Sequence, residues 1–175
     1  LSRSPDNPEA FGALKEAALS PSQPLEIRVT ALEGARRFAL PEVGDFLMHF
    51  AREGDNLQLR MLALDGLRFT RRTPGAASDS LVRMIALNGM ESPQLRSTAL
   101  QVLESRGDIE LPRVLLRIAR GDPVKELQVA AMMNLARNPK ADRPACAALF
   151  QNVARDPAQD GRIREAAIYG LHQVD

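Results

Sequence analysis

The sequence predicts an all-α fold, an array of about five antiparallel helix pairs, and three observations predict it. A nine-residue pattern returns five times, at Ile27–Ala35, Leu59–Leu67, Leu95–Leu103, Leu127–Leu135 and Ile163–Leu171. Its frame is apolar, Arg (Gln once), two variable residues, Ala, a large aliphatic, two variable residues, then aliphatic or Ala. Apolar residues at i, i+4, i+5 and i+8 share one side of a helix. Each copy also follows an amphipathic stretch ending in Ala, at Ala18, Ala51, Ala86, Ala119 and Ala154, in steps of 33, 35, 33 and 35. The motif alanines, Ala31, Ala63, Ala99, Ala131 and Ala167, step by 32, 36, 32 and 36. Finally, the stretch from each leading Ala to its motif Ala is nearly constant and leaves room only for a tight antiparallel turn, as from Ala18 to Ala31 or Ala51 to Ala63. The way back alternates between a shorter and a longer connection, with the extra residues in Thr70–Ser78 and Asn138–Arg143. Two pairs together always span the same length, since Ala31 to Ala99, Ala63 to Ala131 and Ala99 to Ala167 are equal steps. A duplicated two-pair unit or chance alternation produces that pattern.

The elements follow in order from caps and breakers. Asn7-Pro8-Glu9 supplies a cap, a proline at the first helical position and an acid in the first turn. That helix carries Ala13, Leu14, Ala17 and Ala18 and stops at Ser20-Pro21. Pro24 opens the first motif helix, expected to run to about Ala39, and Pro41 opens a helix striped by Phe46, Leu47, Phe50 and Ala51. Gly54-Asp55 ends it ahead of the second motif helix. Helices with Leu81, Val82, Ile85 and Ala86, and with Val114, Leu115, Ile118 and Ala119, stop at Gly89 and Gly121. Ser92-Pro93 and Asp122-Pro123 then open the third and fourth motif helices. Pro144 opens a last leading helix with Leu149, Phe150, Val153 and Ala154, broken at Asp156-Pro157. The pairs are expected at about 8–39, 41–70, 76–106, 111–138 and 143–175, one repeat domain over 1–175. Leu59, Ala63, Leu67, Leu95, Ala99, Leu103, Leu127, Ala131 and Leu135 are the expected core.

Composition narrows the function. The 23 basic and 22 acidic residues leave a net charge of +1, so no global field draws in nucleic acid or an anionic membrane. One cysteine, Cys146, forbids an internal disulfide and a multi-cysteine metal site. No run has the length of a membrane span, and no signal-peptide pattern is present. Beginning at Leu1 and stopping at the end of a helix, the chain looks like a piece of a longer protein, from which a signal or anchor was open to removal. Its compartment is not fixed; cytoplasm is the default expectation.

The residues also choose among repeat families. Tetratricopeptide repeats need a Trp or Leu, a Gly and a Tyr in the leading helix, and ankyrin repeats need a Thr-Pro-Leu-His turn; neither occurs. An Asp/Pro turn followed by apolar-Arg-x-x-Ala-aliphatic resembles HEAT repeats, in the short form of bacterial and bilin-lyase-type proteins. Asp122-Pro123-Val124 through Ala131, and Asp55-Asn56-Leu57 through Ala63, carry the resemblance most clearly, and it covers roughly residues 8–175. The period is shorter than that of the longer HEAT class. The resemblance implies a right-handed α-solenoid with the motif helices lining its concave face. For function it ranges over scaffolds, lyase subunits, DNA glycosylases and transport receptors. The row Arg28, Arg60, Arg96 and Arg164 lies beside turn acids such as Asp55, so a ladder of charge-assisted hydrogen bonds between repeats is expected.

No reactive constellation emerges, and neither catalysis, a metal nor an organic cofactor is expected. His49 and His172 stand near opposite ends of the array. Cys146 sits on an apolar helix side, as a small hydrophobe would. Gly34, Gly66 and Gly170 share one motif position, which suits close helix packing. Two surfaces invite a functional reading. Positions three, seven and ten of the motif point away from its core stripe, at 100° per residue. They nominate Glu33, Arg36, Met61, Asp65, Arg68, Met133 and Tyr169 as a concave face for a protein or peptide partner, with Ala136 also outward. Glu33 is expected to pair with Arg36, and Asp65 with Arg68. The competing assignment is a plain solvated face. The second surface is a basic edge of Arg36, Arg37, Arg68, Arg71, Arg72, Arg106, Arg137 and Lys140, which suits phosphate. Nucleic acid is the weaker reading, because cations at helix C-termini are favoured by the macrodipole and no aromatic residues interleave for bases. A bilin-lyase-like subunit is the remaining alternative that the resemblance implies.

Overall fold

The structure, a computed structural model, describes residues 7–70 and 77–174. These residues form ten α-helices and no strand: α1 (Pro8–Leu19), α2 (Leu25–Ala35), α3 (Glu42–Glu53), α4 (Leu57–Gly66), α5 (Ala77–Leu87), α6 (Pro93–Ser105), α7 (Leu111–Gly121), α8 (Lys125–Arg137), α9 (Arg143–Arg155) and α10 (Gly161–Val174). A 3₁₀ turn, Leu67–Phe69, extends α4. The all-α expectation holds among the described residues, and the even-numbered helices carry the five motif copies. Asn7 caps α1 by accepting from the Ala10 N–H at 3.1 Å, Ser92 accepts from Leu95 N at 3.2 Å, and Asp142 accepts from Ala145 N at 3.1 Å. Each satisfies one of the donors that a helix start leaves open.

The chain divides into two compact units, Leu1–Ile85 with Thr98–Arg106, and Ala86–Ser97 with Gly107–Asp175. In the first, α1 packs on α2, α3 on α4, and α2 against α4. Phe11 of α1 meets Phe46 of α3 edge-on at 5.7 Å between centroids, and Phe46 meets Phe50 at 5.2 Å. In the second, α7 packs on α8, α9 on α10, and α8 against α10. All nine core residues expected from the motif are buried.

Three local expectations are corrected. Helix α2 stops at Ala35 rather than near Ala39, because its backbone bonds tighten to i→i−3 there, with Arg37 N donating to Gly34 O and Phe38 N to Ala35 O. Helix α8 begins at Lys125 rather than Pro123, since Asp122 is extended and its carboxylate takes the Val124 N–H at 3.0 Å. Ile27, first residue of the first motif copy, is 48% exposed, whereas Leu59, Leu95, Leu127 and Ile163 are buried. Among the described residues no earlier motif helix lies against it.

The motif glycines do serve close approach. A Cβ on Gly170 would stand 2.6 Å from Phe150 Cε2, and one on Gly34 or Gly66 would stand 3.0 Å from a leucine methyl. A phenyl ring sandwiched in a core cannot swing aside as a leucine tip can. Gly170→Ala should therefore cost about 1–3 kcal/mol by overpacking. Gly12→Ala, in an open stretch of α1, should instead stabilise by about 0.5–1 kcal/mol. Urea unfolding midpoints of the two variants check both signs.

Candidate interaction site on the motif helices

The motif's second residue anchors every pair. Arg28 Nε donates to Ala18 O at 3.0 Å, Arg60 Nε to Ala51 O at 3.0 Å, and Arg96 Nε to Ala86 O at 3.0 Å. Gln128 Nε2 does the same to Ala119 O at 3.2 Å, and Arg164 Nε to Ala154 O at 3.4 Å. The five acceptors are the leading alanines, whose carbonyls lie in the last turn of their helices and lack an intrahelical donor. Beyond this tether, Arg28 places its terminal nitrogens 2.9 and 2.7 Å from the two Asp55 oxygens. Arg96 grips both oxygens of Asp122 in the same forked manner, with 1% and 5% of the two side chains exposed. The expected ladder is thus present at these two rungs, which lie two motif copies apart in the sequence.

The outward positions form a second network. In the first unit, Arg36 Nη1 lies 3.0 Å from Asp65 Oδ2, and Arg68 Nε lies 3.0 Å from Asp65 Oδ1. Arg68 Nη2 reaches on to Gln101 Oε1 at 3.2 Å. The tenth residue of one copy therefore bonds the seventh of the next. Asp65–Arg68 was legible from spacing; Arg36, however, turns to Asp65 on the next motif helix instead of Glu33. Glu33 and Met61 stand beside this chain, half-buried. In the second unit, Arg137 lies over the Tyr169 ring, 5.5 Å from its centroid, and its Nε donates to the hydroxyl at 3.3 Å. Met133 is half-buried there, and Ala136 is 2% exposed, so the tenth position is not outward in α8.

The residues of the basic edge have unlike surroundings. Arg106 is an inward residue: its Nη2 lies 3.0 Å from Asp79 Oδ1, with 4% and 3% of the side chains exposed, and its Nη1 donates to Leu67 O. Arg36, Arg68 and Arg137 are engaged as described. Arg37 and Lys140 are exposed and belong to different units, and Arg71 and Arg72 lie outside the described residues. Sequence reasoning missed a shallow groove of about 450 Å³ between α1 and α3, lined by Lys15, Leu19, Glu42, Asp45, Phe46 and His49. Among the described residues no group of His, Cys, Asp or Glu is arranged to hold a metal ion, and no helix is long and apolar enough to cross a membrane. Cys146 is buried, and desolvation pushes its thiol above the ordinary value.

With this geometry in view, the class the fold defines is an all-α protein of helix pairs that repeat in sequence. No protein-family model and no curated protein sequence matches the chain.

Two ion pairs couple the structure to pH. The hydrogen bond from Arg28 holds Asp55 below the usual carboxylate range, and the hydrogen bond from Lys125, at 2.8 Å, does the same for Asp160. A carboxylate with a depressed folded-state pKa stabilises fully above its unfolded value and loses that contribution as pH falls through the folded one. Urea midpoints followed between about pH 2 and 7 should thus fall on the acid side of the ordinary carboxylate pKa. Asp55→Asn with Asp160→Asn should be less stable at neutral pH and show a flatter acid limb. Cys146, kept protonated, should react with a thiol reagent at neutral pH only as fast as the protein unfolds.

Proposed function

We propose that this chain is a non-catalytic protein-interaction scaffold, a right-handed α-solenoid whose motif helices receive a partner protein or peptide on their concave face. The observation that carries the reading is the pairing of half-exposed, adaptable apolar residues with polar neighbours that already engage one another across the motif helices. Met61 with Val29 in the first unit, and Met133 with Val129 in the second, offer contacts that re-pack around different side chains. The Arg36–Asp65–Arg68–Gln101 chain and the Arg137–Tyr169 stack flank them. A partner that covers the Arg36–Asp65–Arg68 cluster leaves both cations on a shared carboxylate, which lowers the penalty for burying that part of the face. The side-by-side packing of α2 with α4 and of α8 with α10 supports the solenoid reading. The HEAT resemblance is compatible with scaffolding.

Affinity capture with the folded chain as bait tests this. Partners held by the wild type should be lost from a Met61→Glu plus Met133→Glu double variant whose circular dichroism is unchanged. Survival of every captured protein in that variant removes the concave-face assignment. Titration with duplex and single-stranded nucleic acid should show only weak, salt-sensitive association, in the non-specific range of roughly 10⁻⁴–10⁻⁶ M. Tight binding abolished by Arg68→Glu with Arg72→Glu would put the basic edge in its place.

A further inference from the structure

Motif residues two, six and ten stand four apart and so share one stripe of their helix. In α2 and α8 that stripe meets the next motif helix of the same unit. On α2 it is Arg28, Leu32 and Arg36: α4 packs there, Leu32 is fully buried, and Arg36 Cβ lies 3.4 Å from the place a Gly66 Cβ would take. On α8 it is Gln128, Met132 and Ala136, which are 5, 0 and 2% exposed against α10. On α10 the same stripe is Arg164, Ile168 and His172. Ile168 is 48% exposed, and His172 is exposed as well.

A second observation says what fits this face. Arg28, Arg96 and Arg164 follow one another at equal steps of two motif copies, and all three tether a leading alanine carbonyl. The first two also fork onto an aspartate in the turn of the following pair, Asp55 and Asp122. Arg164 makes the tether, and its terminal nitrogens meet no acceptor among the described residues. We propose that this stripe of α10 is a docking face for a further helix pair. That pair presents an aspartate from its connecting turn to Arg164, and its second helix covers Ile168 and His172. The face continues the α8–α10 packing, and Arg164 supplies the charge for the acid. A second copy of this chain does not fit as well. At the places before the motif alanine where Asp55 and Asp122 stand, the first pair carries Gln23 and Ser22. The inference does not rest on the partner-binding role of positions three and seven.

The test joins a second copy of residues 107–141 directly after Val174 of the full chain, which sets the added turn aspartate as far beyond Arg164 as Asp122 stands beyond Arg96. Hydrogen exchange of the α10 amides, Gly161–Val174, is the readout. They should slow by on the order of tenfold in the extended chain, the factor expected from one charge-assisted pair. Arg164→Gln keeps the carbonyl tether, as Gln128 does, and removes only the fork. It should abolish most of the slowing in the extended chain and change α10 exchange little in the original one. Unchanged α10 exchange on extension overturns the proposal, as does slowing that Arg164→Gln leaves intact. Concentration-dependent self-association of the original chain, lost in Ile168→Glu, would assign the face to a second copy and equally overturn it.

Discussion

The structure depends on one hydrogen bond made five times, from the second residue of the motif to the last turn of the helix before it. Each leading helix ends in carbonyls with no helical donor, and each motif helix sends a long side chain back to one of them. The bond fixes more than a polar contact. It sets the axial offset between the two helices of a pair, so the motif Ala three residues on is brought against its neighbour in the same register every time. The alanine permits close approach, and the arginine determines where along the helix it happens.

Arginine suits this position because one side chain meets two demands in two directions. Nε faces the carbonyl within the pair, and the terminal nitrogens are left for the next turn. Arg28 and Arg96 use both ends; Gln128 performs only the first task and lies 5% exposed. Burying Arg96 and Asp122 together would cost several kcal/mol if either were alone, so the pair acts mainly as a register device. A shifted repeat leaves a charge in the core without its partner. That penalty, more than the net worth of the pair, holds consecutive turns in step within a unit.

How far this was legible in the sequence follows from the distances involved. Ala18 through Ala154 and Ala31 through Ala167 were readable because periodicity reports local packing, and the nine expected core residues are all buried. Asp55 beside Arg28 was readable because an acid stands in the turn just ahead of the motif, as Asp122 does again. What escaped were choices between near neighbours in space that sequence spacing treats as equal. Arg36 had Glu33 three residues back and Asp65 on another helix, and the cross-helix partner won. Arg106 looked like an end-of-helix surface cation, yet Asp79, on a different helix, draws it inward. Arg137 and Tyr169 were assigned to two rival surfaces and turn out to stack on each other. A single sequence gives no signal for such pairs, since neither residue is unusual at its own position. Ile27 and Ala136 were misplaced for the opposite reason: the motif assigns every copy the same neighbours, and copies differ in which neighbours they have.

The candidate face gains its character from this division of labour. At position two, arginine is consumed by the scaffold; at position ten, Arg36 and Arg68 are tied to seventh-position partners at the surface, with 23% and 27% of their side chains exposed. A surface whose charges are already paired gives little long-range steering and little affinity per ion pair. On the scaffold reading, binding energy must then come from the apolar residues between, chiefly Met61 and Met133, with the paired charges selecting against partners that bury them askew. A methionine contact is forgiving of shape, and a fixed polar ladder is not. On that same reading, the combination suits a class of segments with a common polar pattern better than a single rigid epitope.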